Sequence, residues 1–427
     1  MTYEILDRDK LPAYLAGLPT VVEVLGDCST LQIDEIGDGN LNFVFRVSQA
    51  ADKGRSVIVK QAVPYLRMAG DSWPLSRDRM TFEIRALRIY NDIVPSFVPK
   101  IYHADEEMSV VVMQTLMDHQ VVRGQMIDGI RYANIGKDIG IFLAQTLFQT
   151  SSLGMGSLER RQLMDKFTLN SELCKLTEDF IFTFPYIDDP SNYSETGSTR
   201  YAQETLRRDG DYKRRVLRFK ELFLTKTDAL LHADLHTGSL MANHDETYVI
   251  DTEFAFFGPF GFDVGKIIAN FLLSYTSHYY HKGGADYQRW LLNEAFNIWT
   301  VFEEEFLTLW AARESGDDDG DAALLSDGFL SDADLAAYKT EFMRRILQDA
   351  VGFCACSLAR RTLGIAGVID VRGIEDVETR TQLEIHNLKL SHLLLMEYDR
   401  IEDISQFRAM VENFYANTTL EPLGKWT

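Results

Sequence analysis

The sequence has no apolar run of membrane-spanning length. Its best candidate, "IIANFLLSYTSHYY", is too short and too polar to cross a bilayer. Cysteine is scarce: four residues, at 28, 174, 354 and 356, none in C-x-x-C spacing, which leaves zinc-ribbon and dithiol redox chemistry without a framework. Cys354 and Cys356 read as small core residues. Positive charge is also short. Lys and Arg number 43 against 64 Asp and Glu, for a net charge of −21. That balance excludes a general nucleic-acid surface, whose phosphates need a basic face. A polyanionic small ligand would then need local donors, backbone N–H groups or a metal. The opening "MTYEILDRDKLPAYL" is acidic and mixed, without a signal-peptide pattern. With so few cysteines, the expectation is a reducing cytoplasm. No internal repeat is visible.

What is present is ordinary globular material, 46% hydrophobic and 25% charged. At 427 residues the chain is too long for one compact core and suits two or three domains. "LQIDEIGDGNLNFVFRVS" (31–48) alternates on both sides of "GDGN" and predicts strand, tight turn, strand. "RSVIVKQAV" (55–63) predicts a third strand. "RMTFEIRALRIYNDI" (79–93) spaces Phe82, Leu87, Ile89 and Tyr90 along one helical face. "VPKIYHADEEMSVVVMQTL" (98–116) predicts two more strands around the turn Asp105-Glu106-Glu107. The segments 135–153, 201–232, 289–310, 338–365 and 383–401 carry helical patterns. The stretch 314–335 is acidic and glycine-containing and reads as a solvated surface insertion, because the twelve-residue ligand spacing of a calcium loop is missing.

Chemistry concentrates in a few places. "GDGN" (37–40) can offer free backbone N–H groups to phosphate, although on its own an ordinary β-turn is the favoured reading. Lys60 sits mid-strand among Val57, Ile58, Val59 and Ala62, and Glu83 in the following helix is its available partner. Turn, strand lysine and helix glutamate in that order suit nucleotide phosphates. "HADLH" places Asp234 between His232 and His236, following the charged helix 201–232. "YVIDTEF" is an apolar strand ending in Asp251 and Glu253. Residues two apart on a strand point to one side, so the pair can share one hard cation. An Asp followed about 17 residues later by strand-end carboxylates is the layout of kinase-like phosphoryl transfer. A histidine-bound transition metal is disfavoured: His232 reads as a residue orienting the loop backbone and His244 as a turn residue. Asp263 in "GFDVGK" reads as the N-cap of the next helix, with bracing of the catalytic loop as the alternative.

Taken together, "GDGN", Lys60, Glu83, "HADLHTGS" and "IDTEFAFFGPFGFDVG" resemble the methylthioribose kinase family, in the choline- and aminoglycoside-kinase-like branch of the protein-kinase fold. The resemblance runs nearly the whole chain, and "HTGS" with "D-x-EFAF-x-GP-x-GFD" is its most specific part. It implies an α+β, bilobal protein-kinase-like fold. A small antiparallel N-lobe with one main helix (1–115) would bind nucleotide, and a larger, mainly helical C-lobe (116–427) would carry catalysis and substrate. It implies ATP and Mg²⁺ as cofactors, phosphorylation of the anomeric hydroxyl of 5-methylthioribose for methionine salvage, and a homodimer.

Carried over by motif, Asn40, Lys60 and Glu83 would serve ATP, and the link Gln114-Thr115-Leu116 would hold adenine. Asp234 would be the base contacting substrate. Asp251, Thr252 and Glu253 would bind the Mg²⁺-nucleotide, the two carboxylates holding the metal. Arg360 and Arg361, uncomfortable in an apolar helix without partners, would meet the ribose and the developing phosphoryl charge. "GDSWPL" (70–75) resembles a tryptophan-containing loop near the nucleotide, with Trp73 as a surface anchor the alternative. Related small-molecule kinases carry Asn where Ser239 stands, and an Asp-x-Asp or Asp-x-Gly metal motif where this chain has Asp251-Thr252-Glu253. Ala233 replaces the usual Gly, and Gly367 stands where many members have His. A related sugar or amino-alcohol kinase and a nucleotide-binding pseudoenzyme are the other readings. Ser239 with the Asp-x-Glu pair speaks against the first, and the intact Lys60, Glu83, Asp234 and Asp251 against the second.

Overall fold

The computed structural model describes residues 3–36, 41–66, 70–193, 195–281, 283–315, 329–365 and 367–420, with the side chains of 66, 70–73 and 315 left aside. The "GDGN" turn with Asn40, the Trp73 side chain and most of the acidic stretch lie outside the described residues. The chain forms two compact units: Met1–His119 with Tyr248–Ala255, and Gln120–Thr247 with Phe256–Thr427.

The first unit is built on an antiparallel five-stranded sheet. Its strands run, in spatial order, Leu31–Glu35, Asn42–Gln49, Ser56–Ala62, Val110–Gln114 and Ile101–Asp105. All five are where the alternating patterns predict them. Val57 and Val59 turn to one face, where they pack with Phe45, Val47, Val110 and Val112 against Leu11, Leu15, Val21 and Leu25. Those last four residues belong to two short helices, Leu11–Ala16 and Pro19–Leu25, which periodicity over so few residues does not reveal; each has a proline in its first turn. Ile58 and Ala62 turn to the other face and meet Met80 and Ile84 of the helix Asp78–Ile93. With a side-chain period of two, Lys60 falls on that helix-covered face.

In the second unit the expected helices are found as Ile135–Gln149, Gly284–Ser315, Asp332–Leu363 and Val377–Glu397. The single helix expected over 201–232 is not one element. Helices Gly197–Glu204 and Gly210–Thr225 are separated by a break whose Asp209 caps the second helix, its carboxylate accepting from the backbone of Asp211 and Tyr212. Residues Ala229–Leu231 are then a strand, paired with Phe256–Gly258. "HADLH" therefore leaves a buried strand end rather than a helix.

Helices Ser157–Asp165, Ser171–Phe182, Gly261–Ser277 and Ile404–Asn417 add to those expected. Gly261–Ser277 is buried almost throughout, which is why its apolar residues show no single stripe. Among the described residues no helix is long and apolar enough to cross a membrane.

Gly261–Ser277 lies against Asp332–Leu363 at backbone distance. A Cβ on Gly265 would come 2.3 Å from the Ala350 carbonyl oxygen and 2.8 Å from the Cys354 nitrogen. The approach fixes where Asp263 and Lys266, on the same helix, are held. Gly265→Ala is expected to cost about 1–3 kcal/mol through overpacking, measured as a lowered urea midpoint with an unchanged slope.

Candidate active site

In the first unit Lys60 is the pivot. Its Nζ lies 2.8 Å from Glu83 Oε1 and 2.7 Å from Asp251 Oδ1, and the residue is only 5% exposed. Burial works against the ammonium charge, but Asp251, Glu83 and Glu253 outweigh it and hold the pKa above its ordinary value. Burial pushes the Glu83 carboxyl up, against the pull of Lys60. The Lys60–Glu83 partnership expected from order along the chain is thus present.

Asp251 and Glu253 depart from the expected shared strand face. The strand ends at Val249. Asp251 is left-handed, at φ 64° and ψ 55°, and a 3-10 turn, Thr252–Phe254, follows. The period-two argument therefore fails, and the two carboxylates separate. Asp251, with its side chain 49% exposed, goes to Lys60. Glu253 turns inward, its Oε2 accepting from Asn42 Nδ2 at 2.7 Å and lying 3.9 Å from Arg79 Nε. Arg79, buried at the start of its helix, also donates to Asn42 Oδ1 and to the carbonyls of Leu41 and Val63. Thr252 Oγ1 donates to the Glu83 carbonyl at 3.3 Å. Neither Asn42 nor Arg79 is singled out by the sequence.

Gln114 ends its strand, donating from its backbone to the Lys100 carbonyl and accepting from Lys100 N at its side-chain oxygen. Leu116 is buried, and its carbonyl accepts from His119 N.

In the second unit the strand Ala229–Leu231 delivers the loop 232–239. Its backbone is held from several sides. Asp263 accepts from His232 N at 2.7 Å and from Ala233 N at 3.0 Å. The helix begins at Gly261 with Phe260 as N-cap, so Asp263 is not the cap; it lies inside the first turn and braces the loop. His232 Nδ1 accepts from Asp234 N, which is the orienting role expected of it. Ser239 Oγ accepts from His236 N and lies 3.0 Å from the carbonyls of both Asp234 and His236, tying the two ends of the loop. His244 is exposed, in a turn beside Asp245.

The Asp234 side chain is 23% exposed and surrounded by cations. Lys266 Nζ donates to its Oδ1 at 2.7 Å and to the Ala233 carbonyl at 2.8 Å. Arg361 Nη2 is 3.9 Å from the same oxygen. Burial alone would raise the Asp234 carboxyl, but Lys266, His236 and Arg360 hold it well below the usual range. His236 Nδ1 accepts from the backbone of Gly238 and Ser239, so the ring proton sits on Nε2, 3.4 Å from Asp234 Oδ2. Burial holds the His236 pKa down, to about 3, so the ring is neutral.

Arg360 and Arg361 both lie near Asp234. Arg360 Nε and Nη1 are buried without a hydrogen-bond partner among the described residues. Arg123, which the sequence reading missed, joins them. Its Nε lies 3.3 Å from Thr237 Oγ1 and 3.8 Å from Asp370 Oδ2, and a Cβ on Gly238 would come 2.9 Å from its Nη1. An isolated arginine in the short helix Val122–Ile127 offered no periodic signal. Gly367, the other departure, sits against the Arg372 guanidinium, where a Cβ would come 1.9 Å from Nε. Arg372 uses that space to donate to the carbonyls of Thr362 and Ile365. In this chain the position is filled from Arg372.

A half-buried carboxylate kept ionised is suited to orienting a hydroxyl and taking its proton, and the cations around it to stabilising charge on a phosphoryl group. A family model described as "Phosphotransferase enzyme family" matches residues 32–302, so the chain is a phosphotransferase of that class. A methylthioribose kinase of Geobacillus thermodenitrificans (strain NG80-2) is 38% identical over 96% of both chains. Methylthioribose kinase 1 of Oryza sativa subsp. japonica is 35% identical over 96% of this chain and 95% of that one. The chain belongs to the methylthioribose kinase family.

Ala233 has φ 65°, the left-handed region that its Cβ disfavours. Ala233→Gly is expected to leave stability within about 1 kcal/mol and retain turnover. Ala233→Val should cost about 1–3 kcal/mol in a urea melt. For His236, the folded pKa of about 3 lies below the ordinary 6.5. Its contribution to stability is therefore full above pH 6.5 and lost as pH falls towards 3. Unfolding free energy measured across that window should fall less steeply in His236→Gln, by up to about 1.4 kcal/mol per pH unit.

Proposed function

We propose that this chain transfers the γ-phosphoryl group of ATP to the anomeric 1-hydroxyl of 5-methylthioribose, giving 5-methylthioribose 1-phosphate and ADP in methionine salvage. The observation that carries the reading is the ionised Asp234 held among Lys266, Arg360 and Arg361. Asp234 orients the 1-hydroxyl and takes its proton as the oxygen attacks γ-phosphorus. Arg360 and Arg361 meet the ribose and the charge growing on the phosphoryl oxygens, where guanidinium geometry suits both.

Lys60, kept charged by its carboxylates and placed by Glu83, contacts the nucleotide phosphates with Asn40. Gln114, Thr115 and Leu116 hold the adenine. The donor chemistry on the nucleotide side suits a hard cation: Asp251 and Glu253 are carboxylates, and Asp251 is the more accessible at 49% side-chain exposure against 7%. Asp251 would hold Mg²⁺, with Thr252 beside it, and Glu253 would join it as a ligand only on leaving its Asn42 and Arg79 partners. A metal held there would supply positive charge against the nucleotide's phosphates. The division inferred is a nucleotide-binding lobe, 1–115, and a catalytic and substrate-binding lobe, 116–427. The enzyme is read as a cytoplasmic homodimer, a state that light scattering after size exclusion tests.

ATP consumption assayed with methylthioribose, choline, homoserine and an aminoglycoside is expected to respond to methylthioribose. Turnover with another acceptor alone would reassign the chain to a related kinase, and ATP binding without turnover on any would mark a pseudoenzyme. Asp234→Ala is expected to lose kcat by about 10²-fold or more with ATP affinity little changed.

A further inference from the structure

Lys266 is 1% exposed, on the buried helix Gly261–Ser277, and belongs to none of the motifs that identify the family. Burying an ammonium group is costly unless it is paired and hydrogen-bonded. Most of the loop's shape is held without it, because Asp263, His232 and Ser239 bind the backbone of residues 232–239. What Lys266 adds is a charged hydrogen bond to one oxygen of the Asp234 carboxylate, 2.7 Å long, anchored by a second to the Ala233 carbonyl. The other oxygen, Oδ2, is left towards His236 Nε2, which is neutral and 3.4 Å away.

We propose that Lys266 is a positioning residue for Asp234: it locks the carboxylate rotamer through Oδ1, so that Oδ2 is the oxygen that receives the acceptor's hydroxyl proton. This rests on the reading of Asp234 as the base. The hydrogen bond from an ammonium makes Asp234 a weaker base. In return it fixes direction, and proximity with alignment is where a phosphoryl-transfer enzyme gains most.

The surroundings give the arrangement a pH signature. Lys266 faces Asp234 from the loop, Asp263 and the Phe262 ring from its own helix, and Arg360 and Arg361 from the helix Asp332–Leu363. Burial, with the two arginines, brings its pKa down to about 8, although Asp234 opposes them. As pH rises through about 8 the ammonium is lost and the Oδ1 anchor weakens.

The test is steady-state kinetics with ATP and methylthioribose from pH 6 to 10. The wild type is expected to lose kcat above about pH 8. Lys266→Met should show kcat lower by about 10- to 100-fold at pH 7, with the KM for ATP within about threefold and without that alkaline fall. A Lys266→Met enzyme that keeps kcat within threefold and retains the alkaline fall overturns the proposal. If this variant does not fold, the wild type decides alone, and a kcat flat from pH 7 to 10 overturns it. Wild type inactive on methylthioribose sinks the functional reading itself, an outcome distinct from failure of Lys266 in an active enzyme.

Discussion

The second unit's chemistry hangs on one carboxylate. Asp263, 1% exposed, accepts the backbone N–H of both His232 and Ala233. Two buried donors at the exit of a strand would otherwise be orphaned, and an unsatisfied buried N–H costs about 1–3 kcal/mol. Satisfying both with one side chain ties the loop to the helix Gly261–Ser277. That helix is itself seated at backbone distance on Asp332–Leu363, because Gly261 and Gly265 present no side chains there. The same pair of helices supplies Lys266 and the two arginines. The position of Asp234 relative to its cations is thus set by helix packing and not by a mobile loop, which is where pre-organised electrostatics must come from.

The acidic balance of the chain does not conflict with handling phosphate. A net charge of −21 is a property of the whole surface, screened over about 10 Å in ordinary salt. The cations that matter are buried. Lys60, Lys266 and Arg361 are each exposed by 6% or less, so their fields act through protein rather than water. Each unit also places carboxylates against its own cations. Glu83 and Asp251 do so for Lys60, and Asp234 for Lys266. That restrains the desolvation cost while leaving Arg360 with nitrogens that have no hydrogen-bond partner among the described residues.

How much of this was legible depended on range. The five strands, the main helix of the first unit and the Lys60–Glu83 pairing follow from alternation and order, because register across an antiparallel sheet is a local pattern repeated. His232 as a backbone orienter was also readable, from its place beside Asp234. The break at Asp209 was not legible, because an Asp inside a charged stretch has the same pattern as solvated surface whether or not it caps a helix. Nor was the strand Ala229–Leu231, three residues long. Arg123 and Asn42 were invisible for a different reason. Each acquires its role from a partner more than a hundred residues away, Thr237 and Glu253 respectively. In sequence Asp263 has the position of a cap, and the start of its helix at Gly261 makes it the brace.

The strained backbone falls at the chemistry. Three described residues other than glycine have positive φ, and two of them are Ala233, preceding the proposed base, and Asp251, the more accessible proposed metal ligand. An L-residue in the left-handed region costs roughly 1–2 kcal/mol, and such a conformation persists only where neighbours over-determine it. At Ala233 they do: its N–H is bound by Asp263 and its carbonyl by Lys266. At Asp251 the Lys60 ammonium and the inward-turned Glu253 on the following 3-10 turn do the same. In both places the reversal of φ ends a short strand and turns the chain so that a carboxylate meets a buried lysine. Strand alternation alone would have paired Asp251 with Glu253 on one face. The left-handed residue is what separates them, sending one to the lysine and the other into the Asn42–Arg79 network.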